Sequence, residues 1–409
     1  MRQPVVGVEG GSYGGSITLA VSAFDRRVKA IVPEATWNDL RYSLDPNGVP
    51  KQGFLAGLYA LGLALGTESH TKSDTGPTDT EPIRYDPEIH YAFVTSAAQG
   101  YVDPSVLSWF GQRSLAVYGT GPAGAVPDVP TLLMQGTEDT LFDLNSAWGN
   151  AEQISAAHPG LPVKVLVGCA GHTGCPDYVT KSTATSPLWP KTEVADVVEN
   201  QMIDWLAHYL RGDGTTDGMP APFVYQDQHG DYRPVATVPT VAHRGPATIV
   251  SAPFAGTLLG SPVPAPPMES GTGAIFLDTP TSADDPAQVT VPVLTAPANQ
   301  TLPIVGIGHA TFTANVSGQT ANLFFRLIDK RTGGLIDGMT EPIRLDNGTS
   351  PSPHHVSLDL DGVSYNLPPG DTLELQVSTS SSEFMGNRVP GIVTLTNGTA
   401  LVPVLRSRP

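Results

Sequence analysis

Short apolar runs separated by a glycine-rich turn and a helical pattern mark the start of the chain. Val5–Val8 is an apolar run that leads directly into Gly-Gly-Ser-Tyr-Gly-Gly. Ser16–Phe24 follows with a helix-like pattern, and Val28–Pro33 is the next apolar run. A short apolar run bounded by turn residues is typical of a buried strand. The pattern therefore predicts a strand, a tight turn, a helix and a second strand.

The same alternation of short apolar runs and helical patterns returns after residue 130. Thr131–Gln135 and Val163–Val167 are further predicted strands, and a helix is predicted between them over Leu144–His158. Glu193–Leu210 carries apolar residues at helical spacing, which is typical of an amphipathic helix packed on a core. Gly212 follows this pattern and predicts its end. These elements predict one α/β domain interrupted by an insertion.

The insertion is predicted to be helical. Gly53–Leu65 is apolar enough for a buried helix, and Asp86–Gln99 and Pro104–Gln112 have the length of short helices. The segment Glu68–Pro82 is polar and rich in Thr, Asp and Ser, so we expect an exposed loop there. An insertion of this kind between two strands of an α/β domain would form a cap over the edge of the sheet.

The last part of the chain has short alternating runs between Gly, Pro and Asn turns, as in Thr372–Val377, and this predicts an all-β sandwich. The fold class is therefore α/β plus all-β. The predicted domains are 1–36 and 130–212 for the α/β core, 37–129 for the helical cap, and 219–409 for the β-sandwich.

Composition limits the protein classes to consider. The chain has 409 residues, of which 40% are apolar and 15% charged, as expected for a globular protein. The net charge of -17 argues against a nucleic-acid binder and against attraction to anionic membranes. The longest apolar run, Gly53–Gly66, is shorter than the ~20 residues of a membrane span. We expect a soluble protein, cytoplasmic or secreted, and we allow for a homodimer.

The glycine-rich turn carries the first chemical signal. Gly10-x-Ser12-x-Gly14, between a strand and a helix, fits a nucleophile elbow, in which a sharp turn exposes the serine hydroxyl. Small residues two positions before and after the serine let strand and helix approach closely. The amide of Tyr13 would lie at the start of the helix, where it could hold an oxyanion.

An acid and a histidine follow in the chain order of α/β-hydrolases. Asp139 lies in Gly-x-x-Asp spacing just after a predicted strand, and Glu138 or Asp143 could serve instead. His172 lies in the loop after the next strand, a position that no other of the ten histidines shares. The ordered set predicts a serine nucleophile, a histidine base and an orienting carboxylate.

These motifs resemble the X-prolyl dipeptidyl-peptidase and cocaine-esterase family of serine hydrolases. The resemblance rests on the elbow, on Gln-Gly-Thr-Glu-Asp-Thr-Leu-Phe, on Ala-Gly-His172 and on the closing helix Asp204–Gly212. Leu323–Asp329 and Gly338–Arg344 resemble the galactose-binding-like jelly roll of that family. The resemblance implies Ser12, Asp139 and His172 as a catalytic triad, a helical cap, and peptidase or acyl-esterase activity.

The sequence departs from the family at its beginning. Family members carry several strands before the elbow strand, and one oxyanion donor comes from an early loop. Here four residues precede Val5, so we predict an N-terminally incomplete sheet with one unpaired strand edge. We expect such a fragment to be poorly stable and weakly active alone.

Substrate recognition leaves two readings open. Glu34, Trp37 and Asp39 follow the second predicted strand and are candidate substrate-binding residues, and the two acids could hold a substrate's amino terminus. The substrate is then a short peptide, cleaved as by an X-Pro dipeptidyl-peptidase, or a small ester. In the alternative, the chain is a weak or inactive protein whose jelly roll binds a carbohydrate or a partner.

The two cysteines, Cys169 and Cys175, flank His172. We predict that they can form a disulfide that fixes the histidine loop in an oxidising compartment, and two unrelated thiols are the alternative. The sequence has no Cys/His spacing of a zinc site and no GxxxxGK[ST] loop, so we expect no metal and no cofactor.

Overall fold

The computed structural model describes residues 4–68, 86–120, 124–168, 171–172, 181–212, 217–260, 287–349 and 351–406. The first part of the chain forms an α/β domain and the last part an all-β domain, which confirms the predicted fold class. In the described residues, no helix is long and apolar enough to cross a membrane.

A six-stranded sheet forms the α/β domain, in the order β1-β2-β3-β4-β5-β6. The strands are β1 (Val6–Gly11), β2 (Val28–Glu34), β3 (Thr131–Gln135), β4 (Val163–Val167), β5 (Phe223–Gln226) and β6 (Tyr232–Val235). Neighbours from β1 to β5 are parallel, and β6 is antiparallel to β5. The carboxyl ends of the parallel strands therefore meet at one edge of the sheet.

Helices cover both faces of this sheet and form the insertion between β2 and β3. They are α1 (Tyr13–Phe24), α2 (Leu40–Leu44), α3 (Gln52–Glu68), α4 (Pro87–Gln99), α5 (Pro104–Gly111), α6 (Leu115–Tyr118), α7 (Leu144–Ala157) and α8 (Val197–Arg211). Leu132 and Met134 of β3 pack with Trp205 of α8, whereas Leu133 between them packs with Ala147 of α7. This alternation is expected for a parallel sheet buried on both faces.

Helices α2 to α6 occupy the interval in which the sequence predicts a cap. Aspartates at the amino ends of three of them accept backbone hydrogen bonds, namely Asp39, Asp86 and Asp103. Such caps satisfy amides that have no partner inside the helix. A shared apolar core, which includes Phe54, Phe110 and Phe142, joins α2 to α5 to the turn after β3. Except for Glu68 at the end of α3, the loop predicted over Glu68–Pro82 lies outside the described residues.

The C-terminal domain consists of two antiparallel sheets. Its strands are β7 (Ala247–Gly260), β8 (Gln288–Thr295), β9 (Leu302–Gly306), β10 (His309–Val316), β11 (Thr320–Asp329), β12 (Gly334–Leu335), β13 (Glu341–Asp346), β14 (His354–Asp359), β15 (Val363–Leu367), β16 (Thr372–Ser378) and β17 (Gly391–Leu405). One sheet has the order β14-β10-β17-β9-β15 with β7 beside β17, and the other has β12-β11-β16-β8 with β13 beside β11. Phe254, Phe312 and Phe325 meet in the core between them, with ring centroids 5.2 to 6.2 Å apart.

The predicted boundary of the β-sandwich at residue 219 is wrong for two strands. β5 pairs with β4, so Phe223 lies opposite Val165, and β6 extends the same sheet. The α/β sheet therefore continues to Val235, and the first strand of the C-terminal sheets begins at Ala247. A short apolar strand has the same pattern in either sheet, so local sequence could not show which sheet it joins.

Candidate active site

Ser12 lies in the turn between β1 and α1. Its backbone has φ 56° and ψ -117°, a strained conformation for a residue other than glycine. Its amide donates to the carbonyl of Glu34 at 2.9 Å, which fixes the turn to the end of β2. A Cβ on Gly10 of β1 would lie 2.7 Å from the backbone of Gly14 in α1, so glycine is required at position 10. This is the geometry of a nucleophile elbow.

Asp139 lies in the turn after β3 and is fully buried. Its Oδ1 accepts the amides of Leu141 and Phe142 at 3.1 and 3.0 Å. Gln135 at the end of β3 donates through Nε2 to Oδ2 at 3.2 Å. A buried carboxylate needs such donors because it has lost its water. These bonds hold Oδ2 toward the loop after β4.

His172 connects Asp139 to Ser12. Its Nδ1 lies 2.9 Å from Asp139 Oδ2, and its Nε2 lies 3.0 Å from Ser12 Oγ. Because the carboxylate can only accept, Nδ1 carries the hydrogen and Nε2 accepts from the serine hydroxyl. Phe142 packs edge-on against the imidazole at 5.1 Å between ring centroids. Asp143, an alternative acid in the sequence, instead caps α7 through the amide of Ser146 at 2.9 Å.

A cavity of about 470 Å³ opens beside Ser12. The turn after β3 contributes Leu141 and Phe142, and the cap helices contribute most of the other apolar side chains. Residues of the cap that line the cavity are Trp37, Leu40, Leu44, Leu55, Leu58, Tyr59, Asp86, Ile89, Ala92, Phe93, Ser96, Val102 and Phe110. The cavity is therefore an apolar space between the cap and the elbow.

Of the three candidate substrate-binding residues, Trp37 lines this cavity. Asp39 instead caps α2 and forms an ion pair with Arg41 at 2.6 Å. Glu34 is not among the cavity residues, and burial, together with the nearby Glu9, raises the pKa of its carboxyl. It is the backbone carbonyl of Glu34, and not its side chain, that contacts the turn at Ser12.

Cys169 and Cys175 lie outside the described residues, so the disulfide stays a prediction.

Sequence reasoning missed Gln135, Phe142 and Lys51 around Asp139. Lys51 donates through Nζ to the carbonyls of Thr140 and Leu141. Gln135 had one available signal, a polar residue at the end of an otherwise apolar strand. In the described part of the chain, no group of His, Cys, Asp and Glu side chains is arranged to hold a metal ion.

Two family profiles match the chain. Residues 3–174 match the family described as X-Pro dipeptidyl-peptidase (S15 family). Residues 269–402 match the family described as X-Pro dipeptidyl-peptidase C-terminal non-catalytic domain. None of the curated proteins compared with the chain matches it.

Solved structures share the fold across both domains. An aminopeptidase from a marine sediment Thaumarchaeota archaeon superposes with a TM-score of 0.67 at 17% identity, over 98% of this chain and 77% of that one. An α-amino acid ester hydrolase gives 0.64 at 15% identity, over 98% and 76%. A CocE/NonD family hydrolase from Staphylococcus aureus gives 0.59 at 12% identity, over 98% and 72%. These likenesses, at 12–17% identity, show that the chain shares the two-domain fold. The two profile matches, which together span most of the chain, place it in the X-Pro dipeptidyl-peptidase (S15) family of serine hydrolases.

Proposed function

We propose that the protein hydrolyses esters or amides through Ser12, His172 and Asp139. The observation that carries the proposal is the unbroken chain of hydrogen bonds from Ser12 Oγ through the imidazole to the buried carboxylate. Ser12 Oγ attacks the substrate carbonyl carbon as its proton passes to His172 Nε2. The imidazolium then gives that proton to the leaving alcohol or amine. Water, deprotonated by the same nitrogen, hydrolyses the acyl-enzyme and restores the serine.

Tyr13 is the proposed oxyanion donor. It is the first residue of α1, and an amide at this position has no acceptor within the helix. The helix dipole adds positive potential at the same end. Negative charge that develops on the substrate oxygen, next to Ser12, would therefore be stabilised by this amide.

The cavity favours an uncharged, apolar acyl group over a peptide with a free amino terminus. Asp86 is the carboxylate among the described lining residues, and it lies exposed at the start of α4, where it accepts the amide of Glu88 at 3.0 Å. Ser96, a polar lining residue, donates to the carbonyl of Phe93 at 3.1 Å. A substrate ammonium placed deeper would be desolvated without a compensating charge from these residues, which is unfavourable. We therefore infer that apolar esters are the better substrates.

A second grouping of the same residue types supplies a matched control. On the exposed face of the β-sandwich, His309 Nε2 lies 2.9 Å from Ser357 Oγ and Nδ1 lies 2.6 Å from Asp359 Oδ1. Ser357 lies within strand β14, so no helix amino end follows it to hold an oxyanion. Ser357→Ala therefore removes a hydroxyl bonded to a histidine outside the proposed site.

The test compares fluorophosphonate labelling and p-nitrophenyl butanoate hydrolysis in three proteins. We expect the wild type and Ser357→Ala to be labelled and active, and Ser12→Ala to be unlabelled and slower by roughly 10⁴-fold or more. Hydrolysis of Ala-Pro-p-nitroanilide should be slower than that of the ester. Activity that survives Ser12→Ala would refute the assignment. A wild type that is neither labelled nor active would favour the non-catalytic binding protein.

A further inference from the structure

A buried lysine lies on the far side of the turn that holds Asp139. Lys51 is 4% exposed, and its Nζ donates to the carbonyl of Thr140 and to that of Leu141, the latter at 3.2 Å. The amides of Leu141 and Phe142 in the same turn donate to Asp139 Oδ1. The turn is thus held from both sides, by the carboxylate on its amide side and by an ammonium on its carbonyl side.

The β-sandwich holds the segment that carries Lys51. The amide of Gly53 donates to the carbonyl of Glu383 at 3.0 Å. The amide of Met385 donates back to the carbonyl of Pro50 at 2.9 Å. These two bonds join the chain on both sides of Lys51 to one loop of the C-terminal domain. The lysine backbone is therefore anchored by a domain that contributes no residue of the proposed triad.

Side chains of the β-sandwich also surround the ammonium. Nζ lies 5.8 Å from the centre of the Phe384 ring. Burial and then the neighbouring Asp143 raise the pKa of the Asp361 carboxyl, the positive charge of Lys51 lowers it, and the net result is a pKa of about 7. Glu341 forms a further side-chain hydrogen bond with Asp361. A buried ammonium so placed is complemented by carbonyls and carboxyl groups, as its burial requires.

We propose that Lys51 is a positioning residue for Asp139, and that the β-sandwich, by anchoring Lys51, helps to align the carboxylate with His172. This inference rests on the proposed function, because it assigns Lys51 an effect only through Asp139. Lys51 is not among the residues that line the substrate cavity, so its loss should affect the chemical step and not substrate binding. A small displacement of a catalytic group lowers the rate strongly, by up to about a hundredfold for 1 Å.

The test measures p-nitrophenyl butanoate hydrolysis by the full chain with Lys51→Met. We expect kcat to fall by about tenfold or more and KM to change by less than about twofold. Lys164→Met is the matched control, since Lys164 also donates to a backbone carbonyl, that of Met219, and lies 6.0 Å from the Trp205 ring. It contacts no residue of the Asp139 turn, and its loss should lower Tm while kcat changes little.

A double-mutant cycle separates positioning from general destabilisation. In an Asp139→Asn background, Lys51→Met should change kcat by less than about twofold, because the group that Lys51 positions is already lost. An equal fall in both backgrounds, a loss confined to KM, or an equal kcat loss in Lys164→Met would overturn the inference. If Lys51→Met does not melt cooperatively, Phe384→Leu replaces it with the same expectations. Activity independent of Ser12 would instead refute the proposed function.

Discussion

Gly15 packs so closely against β2 that a Cβ on it would lie 2.8 Å from the carbonyl oxygen of Glu34. The same Cβ would lie 2.8 Å from Cβ of Thr36. A Cβ on the preceding residue, Gly14, would meet nothing within 4 Å. The steric demand of the elbow therefore lies at Gly10 and Gly15, and Gly14 has room for a side chain.

The pair Gly14→Ala and Gly15→Ala tests this packing, since both positions are in the first turns of α1. Gly14→Ala should keep activity and stabilise the fold by about 0.5–1 kcal/mol, because alanine loses less backbone entropy than glycine in a helix. Gly15→Ala should destabilise the fold by about 1–3 kcal/mol through overpacking and lower kcat. Denaturant unfolding and ester hydrolysis check both. Equal stability of the two variants would contradict the close approach.

Because of three buried carboxyl groups, we expect the free energy of unfolding to fall as the pH rises. Burial raises the pKa of Asp45, Asp337 and Asp361 to about 7 each, from 3.8 for a solvated aspartate. Such groups hold a proton more tightly in the folded chain than in the unfolded one. Their contribution is full below about pH 4 and is lost as the pH rises through about 7. Tm should accordingly be higher at about pH 5.5 than at about pH 8.

Asp45→Asn isolates one of these groups. Asp45 is 6% exposed, and its Oδ1 finds no hydrogen-bond partner among the described residues. The neutral amide should raise Tm at about pH 8, by about 3 °C or more, and reduce the difference from pH 5.5. Asp204→Asn, at an exposed side chain of α8, is the control and should leave the difference unchanged. A wild-type Tm that rises between the two pH values would show that other groups dominate.

Ala92 offers a test of the acyl cavity. It is 7% exposed and lines the cavity from α4. Ala92→Phe should fill part of this space and lower kcat/KM for p-nitrophenyl octanoate by about tenfold or more, because pocket shape discriminates acyl groups on this scale. The acetate ester should change by less than about twofold. Ala98→Phe places the same ring on an exposed position of the same helix and should leave both rates unchanged. A parallel loss of both rates in Ala92→Phe would argue against this cavity as the acyl site.

The sequence predicts which side chains lie close together where their positions follow from chain order. Ser12, Asp139 and His172 each follow a strand, and parallel strands bring their carboxyl ends together, so the constellation could be predicted without coordinates. The sequence does not show whether the side chain of a candidate residue is already bonded to a neighbour. Asp39 is used by Arg41 and by the amino end of α2, and nothing in an isolated acid shows that its carboxylate is already engaged.

Lys51 is a second residue whose surroundings could not be predicted from the sequence. A lysine before an apolar helix predicts an exposed charge, because lysine is almost never fully buried unless paired. Its partners are carbonyls of a turn about ninety residues away and a loop of the other domain, and a single sequence records neither. The strands β5 and β6 were misassigned for a related reason, since sheet membership is a long-range property.

Ser12 and His172 are separated by 160 residues, with the whole cap and three further strands of the sheet between them. The serine hydroxyl therefore meets the imidazole of His172 only after β1 to β4 have taken their places in one sheet. Under the proposed function, labelling of Ser12 by a serine-directed reagent measures the fraction of chains in which this assembly is complete. During refolding or in a cell extract, the labelled fraction would therefore measure the folded population of the α/β domain. This measurement needs no fluorescence or absorbance change of the protein itself.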